Sequence, residues 1–206
     1  MNRWTMMLAV ALLAGCTGGF ERDAPEPALY VLTAPRVEAT AMVRLPSDLI
    51  VLRPALAPAL ATERMATRWP GNRIDYYADA RWSGDAGLVV QAALVESLRS
   101  TGNYRSVEAD PGRFRPTHVL GVEVSRLEAD YTMGAVPVAR VVMTATVARH
   151  PDRRSLSTWT VSAERPAADN TLTAVTAALD EAFRSAALEI VTGTAGTIGT
   201  DLRSQP

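Results

Sequence analysis

The chain has 206 residues, 21 basic and 22 acidic side chains for a formal net charge of −1, and a single cysteine. A near-neutral chain without a basic cluster lacks the electrostatic footprint of a nucleic-acid binder, and one cysteine excludes an internal disulfide. All the basic residues are arginine, scattered through an alanine-rich background, which reads as a coding bias rather than as a device for recognising phosphate.

Residues 1–15 read as a signal peptide. Arg3 supplies the positive charge, Trp4 to Leu13 form an apolar run, and Ala14-Gly15 are the small residues before a cleavage site. As a helix the apolar run rises about 15 Å, half of the roughly 30 Å hydrocarbon core, so it is too short to span a membrane. Leu13-Ala14-Gly15-Cys16 is a lipobox: small residues give a peptidase access, and the Cys16 thiol is the nucleophile that takes a diacylglycerol. The expected covalent group is that diacylglycerol plus an N-acyl chain such as palmitate, with no other cofactor. At about 0.8 kcal/mol per buried CH₂, three acyl chains make release negligible. Thr17 follows the cysteine. An Asp there retains lipoproteins in the inner membrane in the enterobacterial scheme, so Thr17 favours the outer membrane, facing the periplasm, with the inner membrane as the alternative.

Residues 16–27 form a flexible tether. The segment TGGFERDAPEP carries Gly, Pro and charge without apolar periodicity, and about 11 such residues reach on the order of 15 to 20 Å. A domain is expected over residues 28–192 and a flexible tail over 193–206.

Within the domain, Leu29 to Leu32 predict a first strand, and Asp48 to Arg53, apolar on both faces, a strand inside a sheet. Pro54 and Pro58 end it, and Ala59 to Trp69 are expected as a short helical or irregular connection. Ile74 to Trp82 alternate as a half-buried strand. Ser83-Gly84-Asp85 offer N-cap oxygens to a helix carrying Leu88, Val90, Leu94, Val95 and Leu98, which Gly102-Asn103 end after Thr101. Tyr104 to Glu108 return as a strand.

Three alternating strands follow. Leu120, Val122 and Val124 share one face of Thr117–Leu127; Val141, Met143, Ala145 and Val147 one face of Arg140–Arg149; Trp159, Val161 and Ala163 one face of Ser157–Glu164. Thr144, Thr146, Thr158, Thr160 and Ser162 take the opposite face, which describes an antiparallel meander with one wet side. A second helix from Thr171 to about Val191, with Leu172, Val175, Leu179, Ala182 or Phe183, Ala186 and Ile190 on one stripe, is about 30 Å long. The fold class is therefore α/β of the α+β kind: a single domain with a mostly antiparallel sheet and an N-terminal strand pair, covered on one face by two amphipathic helices.

Catalytic signatures are missing from the sequence: it has no GxSxG, no HExxH, no Walker loop and no paired Cys/His spacing. His118 falls on the apolar face of its strand, where a hydrogen-bonded core histidine is expected, and His150 is a turn residue. Asp75, Asp79 and Asp85 are the densest acidic set, ascribed to solvation or pairing with Arg73 or Arg81. The chain is expected not to be an enzyme and to hold no metal.

The ordered series LIVLRPALAPAL, then ERMATRWPGNRIDYYADARWSGDAGLVVQAALVESL, then TGNYRSV, behind the lipobox and Tyr30-Val31-Leu32, resembles the ABC-type transport auxiliary lipoproteins, the PqiC-like lipoproteins. Tyr76, Tyr77 and Trp82 followed by the helix after Asp85 carry the strongest local likeness. The resemblance implies a part that works beside an ABC transporter and an MCE-domain protein moving lipid, or another hydrophobic molecule, between the two membranes of a Gram-negative envelope. Cys16 would hold the outer-membrane end while the domain docks the MCE protein, and a tunnel-shaped partner is compatible with a homo-oligomeric ring.

The exposed meander face and the apolar loop 131–137, with Tyr131, Met133, Val136 and Pro137, are the candidate contacts; the alternative for the loop is a hairpin folded on its own domain. Two other functions compete. One is a lipid-binding lipoprotein that cradles an acyl chain between sheet and helices. The other is an envelope hydrolase with a dispersed site built from His118 or the three aspartates.

Overall fold

A computed structural model describes residues 26–36, 44–109, 112, 115–152 and 154–205. The signal segment, the lipobox with Cys16 and most of the tether lie outside the described residues. The elements run β1 (Ala28–Tyr30), β2 (Leu45–Val51), β3 (Ala55–Leu56), a 3-10 turn (Pro58–Leu60), β4 (Arg64–Trp69), β5 (Arg73–Trp82), α1 (Ala86–Ser100), β6 (Tyr104–Glu108), β7 (His118–Asp130), β8 (Val138–Arg149), β9 (Ser155–Pro166) and α2 (Leu172–Arg203).

β7 organises the sheet. Along one edge it pairs antiparallel with β8 over its whole length, and β8 pairs with β9 in the same sense. Its other edge is shared in succession by β2 at His118–Leu120, β3 at Glu123–Val124 and β4 at Glu128–Asp130, all parallel. β6 lies outside β2, while β5 lies outside β4 with β1 at the far edge. The result is one nine-stranded mixed sheet that divides beyond β7 into two wings.

Period-2 alternation sets the two faces. On β8, Ala139, Val141, Met143, Ala145 and Val147 are fully buried beneath α2, and the intervening side chains face the side without helices. There Thr144 meets Thr160 at 2.9 Å and Thr146 meets Thr158 at 3.0 Å across the ladder. On β7 the buried side chains are Leu120, Val122 and Val124, then Leu127 and Ala129. The parity changes at a β-bulge between Val124 and Arg126. One inserted residue exchanges the faces, so Arg126, Glu128 and Asp130 turn to the helix-free side instead of entering the core.

Asp85 caps α1 by accepting from the Gly87 amide at 2.9 Å, and Gly102, at φ +64°, makes the left-handed exit. α1 buries Val90, Leu94 and Leu98. α2 starts at the Thr171 cap and lays Val175, Leu179, Phe183 and Ile190 against the meander.

Three expectations need correction. The connection expected over residues 59–69 holds strand β4, because pairing with β5 on one side and β7 on the other satisfies its backbone. The N-terminal strand pair does not form between β1 and β2: β1 is parallel to β5, and β2 sits between β6 and β7. The tail expected to be flexible is helical to Arg203, with Thr194, Ile198 and Asp201 buried. At 32 residues, α2 is about 48 Å long.

Candidate functional site

The loop after β7 is held from below. Tyr131 is buried, its ring stacked on Trp69 at 4.5 Å and 4° between planes. Its hydroxyl donates to Asn170 Oδ1 at 2.7 Å and lies 2.6 Å from the Tyr77 hydroxyl. Since Tyr131 has one proton and gives it to Asn170, Tyr77 is the donor of that second bond. Burial, with the bond to Tyr131, pushes the Tyr77 phenol up, so it stays protonated. Pro137, also buried, closes the loop by accepting from the Ala167 amide at 3.0 Å. Between these fixed ends Met133 is 82% and Val136 47% exposed.

An ionic network underlies the loop. Arg68 grips Glu128 with Nε at 2.5 Å and Nη2 at 3.1 Å, and Arg140 pairs with Asp130 at 2.7 Å and also with Glu164. Arg126 Nη1 lies 3.8 Å from both Glu128 and Asp130. Glu128 is 1% exposed, a burial that an unpaired carboxylate would not tolerate. The hydrogen bond to Glu128 raises the Arg68 guanidinium. Burial acts to raise the Asp130 carboxyl, but hydrogen bonds from the Thr132 hydroxyl and amide, together with Arg140, outweigh it and hold Asp130 below the usual range. Those Thr132 bonds, at 2.5 and 2.8 Å, form the turn that starts the loop.

Of the four loop residues expected to meet a partner, two are therefore spent inside the fold. Tyr131 and Pro137 fix the loop, and Met133 and Val136 remain available. Sequence reading missed Trp69, Tyr77 and Asn170 as the supports of Tyr131, and Glu128 and Asp130 as buried ions.

A second constellation lies at the opposite end of β7. His118 Nδ1 is 2.8 Å from Ser47 Oγ and 3.0 Å from Thr117 Oγ1, and its Nε2 is 3.2 Å from Asp201 Oδ2. Asp201 is also held by Arg149 through both its oxygens and by Gln205 at 3.0 Å. The Arg149 hydrogen bond leads the lowering of the Asp201 carboxyl against the opposing effect of burial, with His118 and Gln205 adding to it.

A hydroxyl, an imidazole and a carboxylate in series are the parts of a nucleophilic triad. Here Ser47 is 0% and His118 1% exposed, so neither can be reached by a substrate, and the group pins the end of α2 to the sheet. A surface cleft of about 580 Å³ between β9 and α2 is lined by Asp201 and Arg149, but Ser47 and His118 do not line it.

The aspartate set does not assemble. Asp85 caps α1 and pairs with Arg53 at 2.9 Å, Asp75 accepts from the Tyr76 amide, and Asp79 is exposed. Asp85 thus takes Arg53 rather than the expected Arg73 or Arg81. Among the described residues no His, Cys, Asp and Glu side chains gather in a group that could hold a metal, and no helix is long and apolar enough to cross a membrane.

Comparison with known proteins places this arrangement. The model of the family described as the ABC-type transport auxiliary lipoprotein component matches residues 30–191. No curated protein matches the chain. The crystal structure of protein XCC0632 from Xanthomonas campestris is similar with a TM-score of 0.78 at 22% identity, over 86% of this chain and 100% of that one. That of an uncharacterised protein has a TM-score of 0.61 at 14% identity, over 78% and 98%. Both share the fold.

Proposed function

This chain belongs to the family of ABC-type transport auxiliary lipoprotein components, and from that premise we propose that it docks an MCE-domain protein at the outer membrane for an ABC transporter of lipid or another hydrophobic molecule. The observation that carries the reading is the family match, which runs from β1 nearly to the end of the expected domain. Cys16, bearing a diacylglycerol and an N-acyl chain, is the anchor; the domain behind it faces the periplasm and works as a scaffold rather than an enzyme.

The polar, helix-free face of the meander is the docking surface for the MCE protein. Its Thr144–Thr160 and Thr146–Thr158 pairs present hydroxyls on a rigid ladder, and Arg140 with Glu164 adds charge beside them. A ring of copies around a tunnel-shaped partner is the oligomeric form we expect. The lipid-cradling alternative has no observation in its favour, since Leu120, Met143, Phe183 and Ile190 fill the space between sheet and helix.

Affinity purification of the lipidated protein from membranes tests the proposal. Recovery of an MCE-domain protein with transporter subunits supports it, and repeated recovery of neither sinks it. Native mass spectrometry of the same material reads the number of copies.

A further inference from the structure

Three chain connections emerge together at one end of the molecule. β4 and β7 run parallel with Arg68 opposite Asp130, so the turn 70–72 and the loop 131–137 leave the sheet side by side. Val138 stands opposite Pro166, which brings the link from β9 to α2 to the same end. Within the loop, residues 132–136 are all exposed, carry no charge and include Met133 and Val136. Its two fixed ends keep these apolar side chains outward instead of letting them fold back. Beneath them lies the Trp69–Tyr131 stack, with the Arg73 guanidinium 5.4 Å from the Trp69 ring. Apolar side chains ahead of Trp, Tyr and Arg is the layering that suits the boundary between acyl chains and headgroups.

The path of the chain brings the same end to a membrane. β1 is parallel to β5 with Ala28 opposite Ala80, and β5 begins at Arg73, beside the loop. The chain therefore enters β1 from the side of this tip. From Ala80 back to Arg73 is about 23 Å of strand, whereas the twelve residues from Cys16 to Pro27 can extend about 40 Å. Extended beyond its r.m.s. reach of about 15 to 20 Å, the tether brings an anchor on Cys16 to the tip without the chain turning back, whereas seating the opposite end on the membrane would require the chain to reverse along β1.

We infer that the tip carrying Met133 and Val136 is a membrane-contact site, seated on the phospholipid surface that holds the acylated Cys16. This rests on the lipid anchor proposed above and deepens it: the tether delivers the domain to the bilayer in one orientation. The tip lies against lipid, and the opposite end of the meander points into the periplasm.

The single cysteine makes the test direct, because acylation of Cys16 leaves no other thiol. Lipidated full-length protein with Met133→Cys, Val136→Cys or, at the other end of the meander, Ser155→Cys is labelled with an environment-sensitive fluorophore. It is then placed in vesicles of phosphatidylethanolamine and phosphatidylglycerol carrying a doxyl-labelled lipid. The labels at 133 and 136 are expected to shift to the blue and be quenched, while that at 155 stays as in water. Anchored protein whose three labels are quenched alike overturns the inference, as does protection at 133 and 136 that appears only when transporter proteins are added. Failure of the proposed function looks different: no acyl chain on Cys16, which removes both, or lipid-quenched labels on a protein that recovers no transporter subunit.

Discussion

Gly193 and Gly196 lie one turn apart on α2, yet a methyl group at each would meet opposite surroundings. A Cβ at 193 would stand 2.8 Å from Cζ2 of Trp159, whereas one at 196 has nothing within 4 Å. Replacing helical glycine by alanine gains about 1 kcal/mol from the backbone, and overpacking costs about 1–3 kcal/mol. Gly196→Ala should therefore stabilise the fold by about 0.5–1 kcal/mol, while Gly193→Ala is neutral to destabilising by about 2 kcal/mol. Denaturant unfolding of the two variants checks this, and equal shifts would mean that Trp159 yields freely. Asp201 is one of the carboxylates that contribute to the response to acid. Its folded-state pKa is depressed, chiefly by Arg149, so its stabilisation is complete above the unfolded value of about 3.9 and is lost as pH falls through the folded one. Asp201→Asn should melt lower than the parent at pH 7 and decline less steeply below about pH 4. Parallel decline of both proteins in thermal melts at pH 2 to 7 would assign the acid limb elsewhere.

At the scale of elements, the last turns of α2 are the instructive case. Gly193, Gly196 and Gly199 give this stretch poor intrinsic helicity, yet Thr194, Ile198 and Asp201 are buried, and Asp201 is tied to His118 and Arg149. The helix here stands on tertiary contacts. Ile198→Ala should cost about 2–5 kcal/mol and increase amide exchange over residues 194–203 first; a loss below 1 kcal/mol would mean the segment is not part of the core.

The same distinction explains what could be read from the sequence. The meander was legible because period-2 alternation in β8 and β9 depends on local pattern alone, and α1 because Asp85 and Gly102 are local caps. The bulge in β7 was not, since the even-numbered spacing of Leu120, Val122 and Val124 continues numerically through Arg126, Glu128 and Asp130. β4 was hidden because its strand character comes from β5 and β7. At the candidate site, the apolar loop was evident, but the role of Tyr131 depends on Trp69, Tyr77 and Asn170, all remote in the chain. Ser47, His118 and Asp201 likewise come from three separate elements.

For the whole molecule, the proposed anchoring predicts that attachment and folding are separable. The hydrophobic core runs from Leu32 to Ile198 without a disulfide, and Cys16 precedes the first strand by twelve residues. On the proposed anchoring, the acyl chains on Cys16 serve to concentrate the domain at the bilayer and are not part of its core. Cys16→Ser should abolish acyl labelling and release the protein from membranes or leave its signal uncleaved. The released domain should melt at the same temperature as lipidated protein in detergent, and a reducing agent should move neither. On the proposed docking role, transport function should fall with the anchor although the fold is intact, because a docking part that diffuses away would no longer hold the two ends of the system together. If the Cys16→Ser protein stays on membranes with acyl label, the lipobox assignment is wrong; if it is released but unfolds at a lower temperature, the anchor also supports the fold and the two are not separable.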